Sequence, residues 1–126
     1  MDFPQDLKYT KDHEWIRVEG EIGTIGITDH AQGELGDVVF VELPAPGKGL
    51  KQHDAFGTIE AVKAVSDLYA PVTGTVTDVN GELAAHPELV NKEPYGKGWM
   101  VKMRIAQPGE PAGLLDAAAY KALIGK

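Results

Sequence analysis

Glycine and proline divide the chain into short apolar runs, and this spacing is the strongest constraint on its fold. The 126 residues include 15 Gly and 8 Pro, spread along the chain rather than gathered into one linker. Strands are usually about five or six residues long, and the turns between them are rich in these two residues. The pattern therefore predicts a mainly β domain with many turns.

The apolar runs predict a series of strands. The run at 38–43 gives the strongest signal, because it is β-branched and aromatic and is stopped by Pro44 and Pro46. Trp15 and Trp99 each begin a strand-like run, so both are expected in the core rather than on a binding surface. The predicted strands cover residues 15–18, 22–27, 38–43, 55–62, 65–69, 72–79 and 99–105.

Two short helical segments are predicted inside the chain. Near residues 28–35, Thr28 can act as the N-cap, and Gly33 or Gly36 can end the helix. At 86–90, a proline in second place could open a single helical turn.

A third helix is predicted at the C-terminus, at about 113–124. Apolar residues recur there at helical spacing, and Asp116, Tyr120 and Lys121 form the more polar side. The predicted apolar face consists of Leu114, Leu115, Ala118, Ala119, Ala122 and Leu123.

Charge and composition narrow the classes of function. Twelve Lys+Arg against 19 Asp+Glu give a formal net charge of −7, and the chain has no cysteine. The acidic balance argues against nucleic acid and anionic membranes as partners, because both select clustered Lys and Arg. Without cysteine, disulfides, thiolate nucleophiles and Cys-ligated zinc are excluded. The four histidines show no common metal-ligand spacing, so no metal site is predicted.

The length fits a single domain over residues 1–126, with a core at about 7–106. No stretch approaches the roughly 20 apolar residues of a membrane span, and the N-terminus shows neither a signal-peptide nor a transit-peptide pattern. We expect a cytoplasmic protein of bacterial type, or a mitochondrial matrix protein if a presequence has been removed.

The most informative segment is a predicted hairpin around Lys63. Two strand-like runs meet at a turn in which this lysine lies between Ala61-Val62 and Ala64-Val65. Hairpin tips normally carry polar turn residues, whereas this tip is apolar except for one amine. An exposed lysine that keeps a tight turn soluble is the ordinary explanation. The residues around it favour another explanation, and they are Glu60, Asp67, Gly47 and Gly74. At Gly74 the returning strand must turn or approach other backbone closely.

This frame resembles the lipoyl/biotinyl carriers, in which a lysine on a protruding β-turn receives the cofactor. Biotin carriers show an Ala-Met-Lys-Met pattern, which is absent here. Lipoyl domains of 2-oxo acid dehydrogenases usually have Asp directly before the lysine, where this chain has Val62.

Further motifs narrow the resemblance to the H-protein family of the glycine cleavage system, over about residues 7–126. Several separate motifs in the same order are more specific than a lone Glu-x-x-Lys. Besides the Lys63 segment and Asn80, they are Tyr9-Thr-Lys-Asp-His-Glu-Trp15, Gly26-Ile-Thr-Asp-His-Ala-Gln32, Gly36-Asp-Val-Val-Phe-Val-Glu-Leu-Pro44, Pro87-Glu-Leu-Val-Asn91 and Pro94-Tyr-Gly-Lys-Gly-Trp-Met100.

The resemblance implies a flattened barrel-sandwich hybrid of two antiparallel sheets with a protruding hairpin that carries lipoate on Lys63. It implies a non-catalytic shuttle, expected to be a monomer. The shuttle would take an aminomethyl group from glycine decarboxylase (the P protein) to aminomethyltransferase (the T protein). Dihydrolipoyl dehydrogenase (the L protein) would reoxidise it, and a lipoate-attaching enzyme would modify it. A lipoate-relay role, donating lipoyl groups to other enzymes, is the alternative.

The resemblance also implies a cleft that receives the loaded arm. His13, Glu14 and Asp67 match the family positions that line it, and Asp12 could contribute. The alternative for His13 and Glu14 is a solvated entry to a strand, and the sequence does not separate the two. Asp29-His30 is read as a helix start rather than a catalytic pair.

Two other classes of function remain open on the residues alone. Lys63 could be a Schiff-base lysine with Glu60 or Asp67 as proton relay, although such a lysine needs burial to lower its pKa. The acidic surface could instead belong to a plain interaction module.

Overall fold

The computed structural model describes residues 3–126, which form two antiparallel sheets packed face to face. The larger sheet has the strand order β1-β2-β3-β9-β8-β5, and the smaller has the order β4-β6-β7. The strands are β1 (Lys8–Tyr9), β2 (Glu14–Glu19), β3 (Ile22–Ile27), β4 (Val38–Glu42), β5 (Gly49–Leu50), β6 (Ala55–Ala61), β7 (Val65–Tyr69), β8 (Gly74–Val79) and β9 (Val101–Ile105). The predicted fold class is confirmed. The sequence did not reveal β1 and β5, because two-residue strands carry no periodicity.

Four helices complete the described part of the chain. They are α1 (Asp29–Leu35), α2 (Glu82–Ala85), α3 (Leu89–Lys92) and α4 (Ala117–Ile124). The N-cap of α1 is Thr28, whose hydroxyl accepts from the Ala31 N–H, and the helix ends at Gly36. The single turn predicted at 86–90 is present, because the Leu89 N–H donates to the His86 carbonyl and the Val90 N–H to the Pro87 carbonyl, both at 3.1 Å, but it continues as α3 to Lys92. No helix among residues 3–126 is long and apolar enough to cross a membrane.

The main core lies between the two sheets. Ile16, Ile25 and Met103 face it from the larger sheet, and Ile59 and Leu68 face it from the smaller. Strands β8 and β9 alternate between buried and less buried residues, whereas β2 begins with three buried residues because Ile16 faces the main core and Trp15 faces a second cluster.

A second, smaller cluster lies beneath α4. Its buried members are Leu7, Tyr9, Trp15, Ala117 and Tyr120, with Trp99 partly buried at its margin. Trp15 is therefore a core residue, as predicted. Trp99 precedes β9 instead of beginning it, and the next residue, Met100, is fully buried.

The C-terminal helix is present, but the predicted start and face are wrong. Pro111–Gly113 forms a 3-10 turn, and Leu115 then pairs with Tyr9 through two backbone hydrogen bonds of 2.8 and 2.9 Å. The helix begins only after Asp116, whose carboxylate caps the Ala119 N–H. It buries Ala117 and Tyr120. Ala117, Tyr120 and the partly buried Ile124 lie three, four and seven residues apart, so they share the face that packs on Leu7, Tyr9 and Trp15.

Gly74 allows the two strands β8 and β9 to approach closely. A Cβ built on Gly74 would lie 2.0 Å from the Arg104 carbonyl oxygen, a distance that no side chain tolerates. Gly74 is not among the glycines with positive φ. Close backbone approach, rather than a left-handed conformation, is therefore what requires glycine here.

Candidate functional site

Lys63 lies at the tip of the β6–β7 hairpin and is exposed. The tip is closed by the Ala61 N–H, which donates to the Ala64 carbonyl at 2.7 Å. It is tied to the segment after α1 by the Val62 N–H, which donates to the Asp37 carbonyl at 3.0 Å. The flanking Val62 and Val65 remain 75% and 66% exposed. The tip thus presents one amine between apolar side chains that the fold does not bury.

The Lys63 side chain lies against the C-terminal end of α1. Gly36, which ends that helix with a φ of +79°, leaves the room for it. A Cβ at Gly36 would sit 3.3 Å from Lys63 Cε and 3.9 Å from Nζ. The positive φ favours glycine independently. The lysine stem therefore lies against the end of α1 at Gly36.

Asn91 fixes the end of α1 on which the lysine lies. Its side-chain amide donates to the Gly36 carbonyl at 2.8 Å and to Gln32 Oε1 at 3.1 Å. Its side-chain oxygen accepts from the Val38 N–H at 2.9 Å. One side chain thus joins α1, β4 and α3, so the surface beneath the lysine is held from three elements.

A cleft of about 350 Å³ opens beside the hairpin, between α1, the turn before β2 and the edge strand β7. It brings together all four residues that the sequence suggested for the arm cleft. Its wall is part apolar and part acidic. The lining residues are Asp12, His13, Glu14, Ile27, His30, Ala31, Glu34, Leu35, Ile59, Ser66, Asp67 and Leu68.

Glu14 is a buried carboxyl group at the base of this cleft, with only 2% of its surface exposed. The Thr10 hydroxyl donates to Oε1 at 2.7 Å, and the Tyr69 N–H donates to Oε2 at 3.4 Å. Burial raises the pKa of Glu14 to about 8, against the lowering effect of these two hydrogen bonds. At neutral pH the group is therefore mainly protonated and becomes a carboxylate readily when a cation approaches.

His13 forms the rim of the cleft in an uncommon backbone conformation, with a φ of +70°. Its Nδ1 lies 2.8 Å from the Tyr120 hydroxyl, and its ring centre lies 5.0 Å from that of His30. Burial, with a smaller contribution from His30, lowers the pKa of His13 below its usual value. The imidazole is accordingly neutral at pH 7.

Asp67 is exposed on β7 and faces the cleft four residues beyond Lys63. At about 3.4 Å per residue, four residues of strand span at most about 14 Å. A lysine extended by a long acyl chain covers a similar distance, roughly 14 Å by bond counting. Lys63 and the cleft are thus within one extended side chain of each other.

Comparison with known proteins decides the family. A family model described as "Glycine cleavage H-protein" matches residues 7–126. A glycine cleavage system H protein of Symbiobacterium thermophilum is 60% identical over 119 residues, covering 94% of this chain and 93% of the relative. One from Chlorobium limicola is 59% identical over 128 residues and covers both chains completely.

The chain belongs to the glycine cleavage H-protein family.

A crystal structure of a glycine cleavage system H protein from Mycobacterium marinum has the same fold, with a TM-score of 0.91. The two chains are 35% identical, and the match covers 98% of this chain and 100% of the other. At this identity and coverage, the two-sheet architecture described above is that of the H-protein family.

Sequence reasoning missed several residues of the cleft in this H-protein family member. It treated His30 as a helix start only, and it did not consider Glu34 or Leu35, which share the cleft-facing side of α1. The available signal was helical spacing, because Glu34 lies four residues after His30 and Leu35 lies four residues after Ala31. Tyr120 was assigned to a polar helix face, and its contact with His13 spans 107 residues, which no local pattern could reveal. Among residues 3–126, no group of three or more His, Asp or Glu side chains is arranged to hold a metal ion.

Proposed function

We propose that this protein is a non-catalytic, monomeric lipoyl carrier of the glycine cleavage system. Lipoate, placed on Lys63 by a lipoate-attaching enzyme, would supply the disulfide that takes up and releases the aminomethyl group. The group would come from the P protein and pass to the T protein, and the L protein would restore the disulfide. Membership of the H-protein family supports this assignment.

The observation that carries the proposal is the position of Lys63. Its amine is exposed at an apolar tip, where a modifying enzyme can reach it, and its stem lies against Gly36 at the end of α1, while Leu35 of α1 and Asp67 of β7 line the cleft. The residues present also fit a lipoyl chain. The cleft offers apolar contacts from Ile27, Leu35 and Leu68, and its volume of about 350 Å³ can hold a slender acyl chain.

The acidic residues of the cleft suit the charge of the cargo. An aminomethyl group attached to sulfur carries an amine that is cationic at neutral pH. Glu14 would give up its proton to pair with this amine, and Asp67 would add a second negative charge at the mouth of the cleft. Asp67 is exposed, so its ion pair contributes at most about 1 kcal/mol, and apolar contacts along the lipoyl chain must supply part of the shelter.

The exposure of Lys63 argues against the Schiff-base alternative. A lysine nucleophile at neutral pH needs burial or a neighbouring cation to lower its pKa. Lys63 lies at a solvent-facing turn, flanked by residues that are themselves exposed. This setting suits an amine that is acylated once and then carries the acyl group.

Reconstituted exchange between glycine carboxyl carbon and labelled bicarbonate, with purified P protein, tests the proposal. Lipoylated wild-type protein should support exchange, whereas Lys63→Arg should not. Lys51→Arg, a substitution of another exposed lysine, is the matched control and should behave as wild type. Lipoylated protein that supports no exchange would contradict the shuttle role and favour lipoate relay to other enzymes.

A further inference from the structure

We infer that Tyr120 of α4 is a positioning residue for the cleft: it holds His13 as the tautomer with its proton on Nε2, so that the rim presents a neutral N–H donor. The tautomer follows from the hydrogen bonds of this chain alone. The use of that donor by a lipoyl arm rests on the proposed function.

Three side chains form a continuous chain of hydrogen bonds. The Tyr120 hydroxyl lies 2.8 Å from His13 Nδ1 and also 2.8 Å from Thr28 Oγ1. Thr28 Oγ1 in turn accepts from the Ala31 N–H at 3.1 Å, as the N-cap of α1. Thr28 and Tyr120 are both fully buried. Water therefore does not satisfy the two hydroxyl groups, and each proton must have a partner within this set.

The number of protons available selects one direction for this series of hydrogen bonds. If the Thr28 hydroxyl donates to the Tyr120 oxygen, the Tyr120 hydroxyl is free to donate to His13 Nδ1. Every donor is then satisfied, and Nδ1 must be an unprotonated acceptor. If Nδ1 carried a proton instead, the Tyr120 oxygen would have to accept it, and only one of the two hydroxyl protons could lie between Tyr120 and Thr28. The other buried hydroxyl proton would then lack an acceptor among the described residues, at a cost typical of a lost buried hydrogen bond.

The surroundings of both groups agree with this direction. Burial raises the pKa of Tyr120 to about 12, so the phenol keeps the proton that it donates. Burial and His30 lower the pKa of His13, and the nearby carboxylates of Asp12 and Glu34 act in the opposite direction but are the smaller effects. Tyr120 is itself held by a stacked ring, that of Tyr9, with centroids 4.8 Å apart.

The consequence is that the adjacent residues His13 and Glu14 have different roles in the cleft: His13 donates a hydrogen bond, and Glu14 attracts the cation. With Nδ1 turned to Tyr120, the nitrogen left for the cleft is Nε2, which carries the proton. It can donate to an acceptor on the arm, such as the amide carbonyl oxygen that forms when Lys63 is acylated. A neutral His13 also avoids repelling the cationic cargo, which Glu14 and Asp67 attract. The C-terminal helix thus contributes to the cleft without lining it.

Nitrogen NMR of the full-length, unmodified protein at pH 7 tests the tautomer. Nε2 of His13 should show a bonded proton, and Nδ1 should show the shift of a hydrogen-bonded, unprotonated nitrogen. Tyr120→Phe should move the Nδ1 shift toward that of an unbonded nitrogen. Tyr9→Phe removes the neighbouring stacked hydroxyl, which donates to the Pro4 carbonyl at 2.6 Å, and should leave the His13 shifts unchanged.

Two results would overturn the inference: a proton on Nδ1 of the wild-type protein, or an Nδ1 shift that Tyr120→Phe does not change. The first needs no variant, so the inference remains testable even if Tyr120→Phe fails to fold. Because lipoate is absent from this measurement, its outcome is independent of the proposed function. Attaching lipoate to Lys63 should then shift the Nε2 proton of His13, and an unchanged signal would exclude its contact with the arm.

Discussion

At the residue scale, Glu14 is the group with the largest consequence for the behaviour of the protein. It is buried with two hydrogen-bond donors and without a cationic partner among the described residues within ion-pair distance. Its pKa is raised to about 8 from an ordinary 4.5. The cleft therefore holds a carboxyl group that can ionise when a cation approaches, as the proposed binding and release of an amine would require.

The raised pKa predicts how stability depends on pH. The folded state binds the Glu14 proton more tightly than the unfolded state, so the free energy of unfolding falls as pH rises from about 4.5 to about 8. Glu14→Gln removes this titration. The variant should match wild type within about 1 kcal/mol at pH 4.5 and be more stable by a few kcal/mol at pH 8. Urea unfolding across this range measures the difference.

Glu42→Gln, at an exposed position on β4, is the control and should show a constant offset from wild type. A Glu14→Gln offset that is also independent of pH would mean that Glu14 ionises normally in the folded protein.

Removal of the Glu14 carboxyl group should shorten the lifetime of the protein loaded with an aminomethyl group. Glu14→Ala leaves Lys63 in place, so lipoylation and reoxidation by the L protein should be unchanged. Because Glu14 is buried, loss of its charged hydrogen bond to the amine, about 1.5–3 kcal/mol, corresponds to a roughly 10- to 150-fold faster release. Ammonia or formaldehyde release without T protein measures it, with Glu42→Ala as control. Equal lifetimes for Glu14→Ala and wild type would rule Glu14 out of this role.

Some residues of the site could be predicted from the local sequence, and others could not. Lys63 stood out because an amine at an apolar turn is unusual. Glu14, His13 and Asp67 were suggested only by family resemblance, and the structure brings Glu14 and Asp67 into one cleft although they are 53 positions apart. The burial that raises the pKa of Glu14 depends on packing against β7, which no local pattern encodes.

At the scale of elements, the pairing of β8 with β9 depends on Gly74. A methyl group there would meet the Arg104 carbonyl oxygen at 2.0 Å, so the strands would have to separate. Gly74→Ala should reduce stability by about 1–3 kcal/mol, the usual cost of overpacking. Gly49→Ala is the matched control, because a Cβ at that glycine of the neighbouring strand β5 meets no atom within 4 Å. Thermal melts of the three proteins make the comparison.

An unchanged melting temperature for Gly74→Ala would show that β8 and β9 can separate without cost. An equally large loss of stability in Gly49→Ala would show that any glycine replacement in this sheet is unfavourable. Close approach of the two strands would then not be the cause.

Elements with strong local signals were predicted well, and those defined by tertiary contacts were not. Helix α1 has an N-cap and a glycine end that can be read from its own residues. For α4, two faces of the helix had apolar character, and the position of Tyr9 and Trp15 decided which one is buried. The start of α4 was likewise set by the pairing of Leu115 with Tyr9, a partner distant in sequence.

At the scale of the whole molecule, the net charge of −7 predicts electrostatic steering toward partners whose docking patches are basic. Exposed charges attract over roughly a Debye length of about 8 Å at physiological salt, and added salt shortens that range. Transfer from P protein at subsaturating carrier should therefore slow as salt rises. At saturating carrier the rate should be nearly constant, which provides the internal control. Salt-independent transfer under subsaturating conditions would indicate an apolar interface instead.

The mainly β class was predictable from the spacing of glycine and proline, and the two antiparallel sheets only from the family resemblance, but the strand order was predictable from neither. The sheet order places β9 between β3 and β8, so the C-terminal strand lies in the middle of the larger sheet. Such long-range pairing is chosen by the combined burial of many residues. The same packing sets the hairpin tip against α1 and forms the cleft beside it.

The central claim is that Lys63 is the single point at which this fold carries its cofactor. Intact-mass measurement and peptide mapping of protein produced in a host that makes lipoate test it most directly. The account predicts one lipoyl amide per chain, on Lys63, in wild type and in Lys51→Arg, and none in a folded Lys63→Arg variant. A lipoyl group on another lysine, or one that persists in Lys63→Arg, would contradict it.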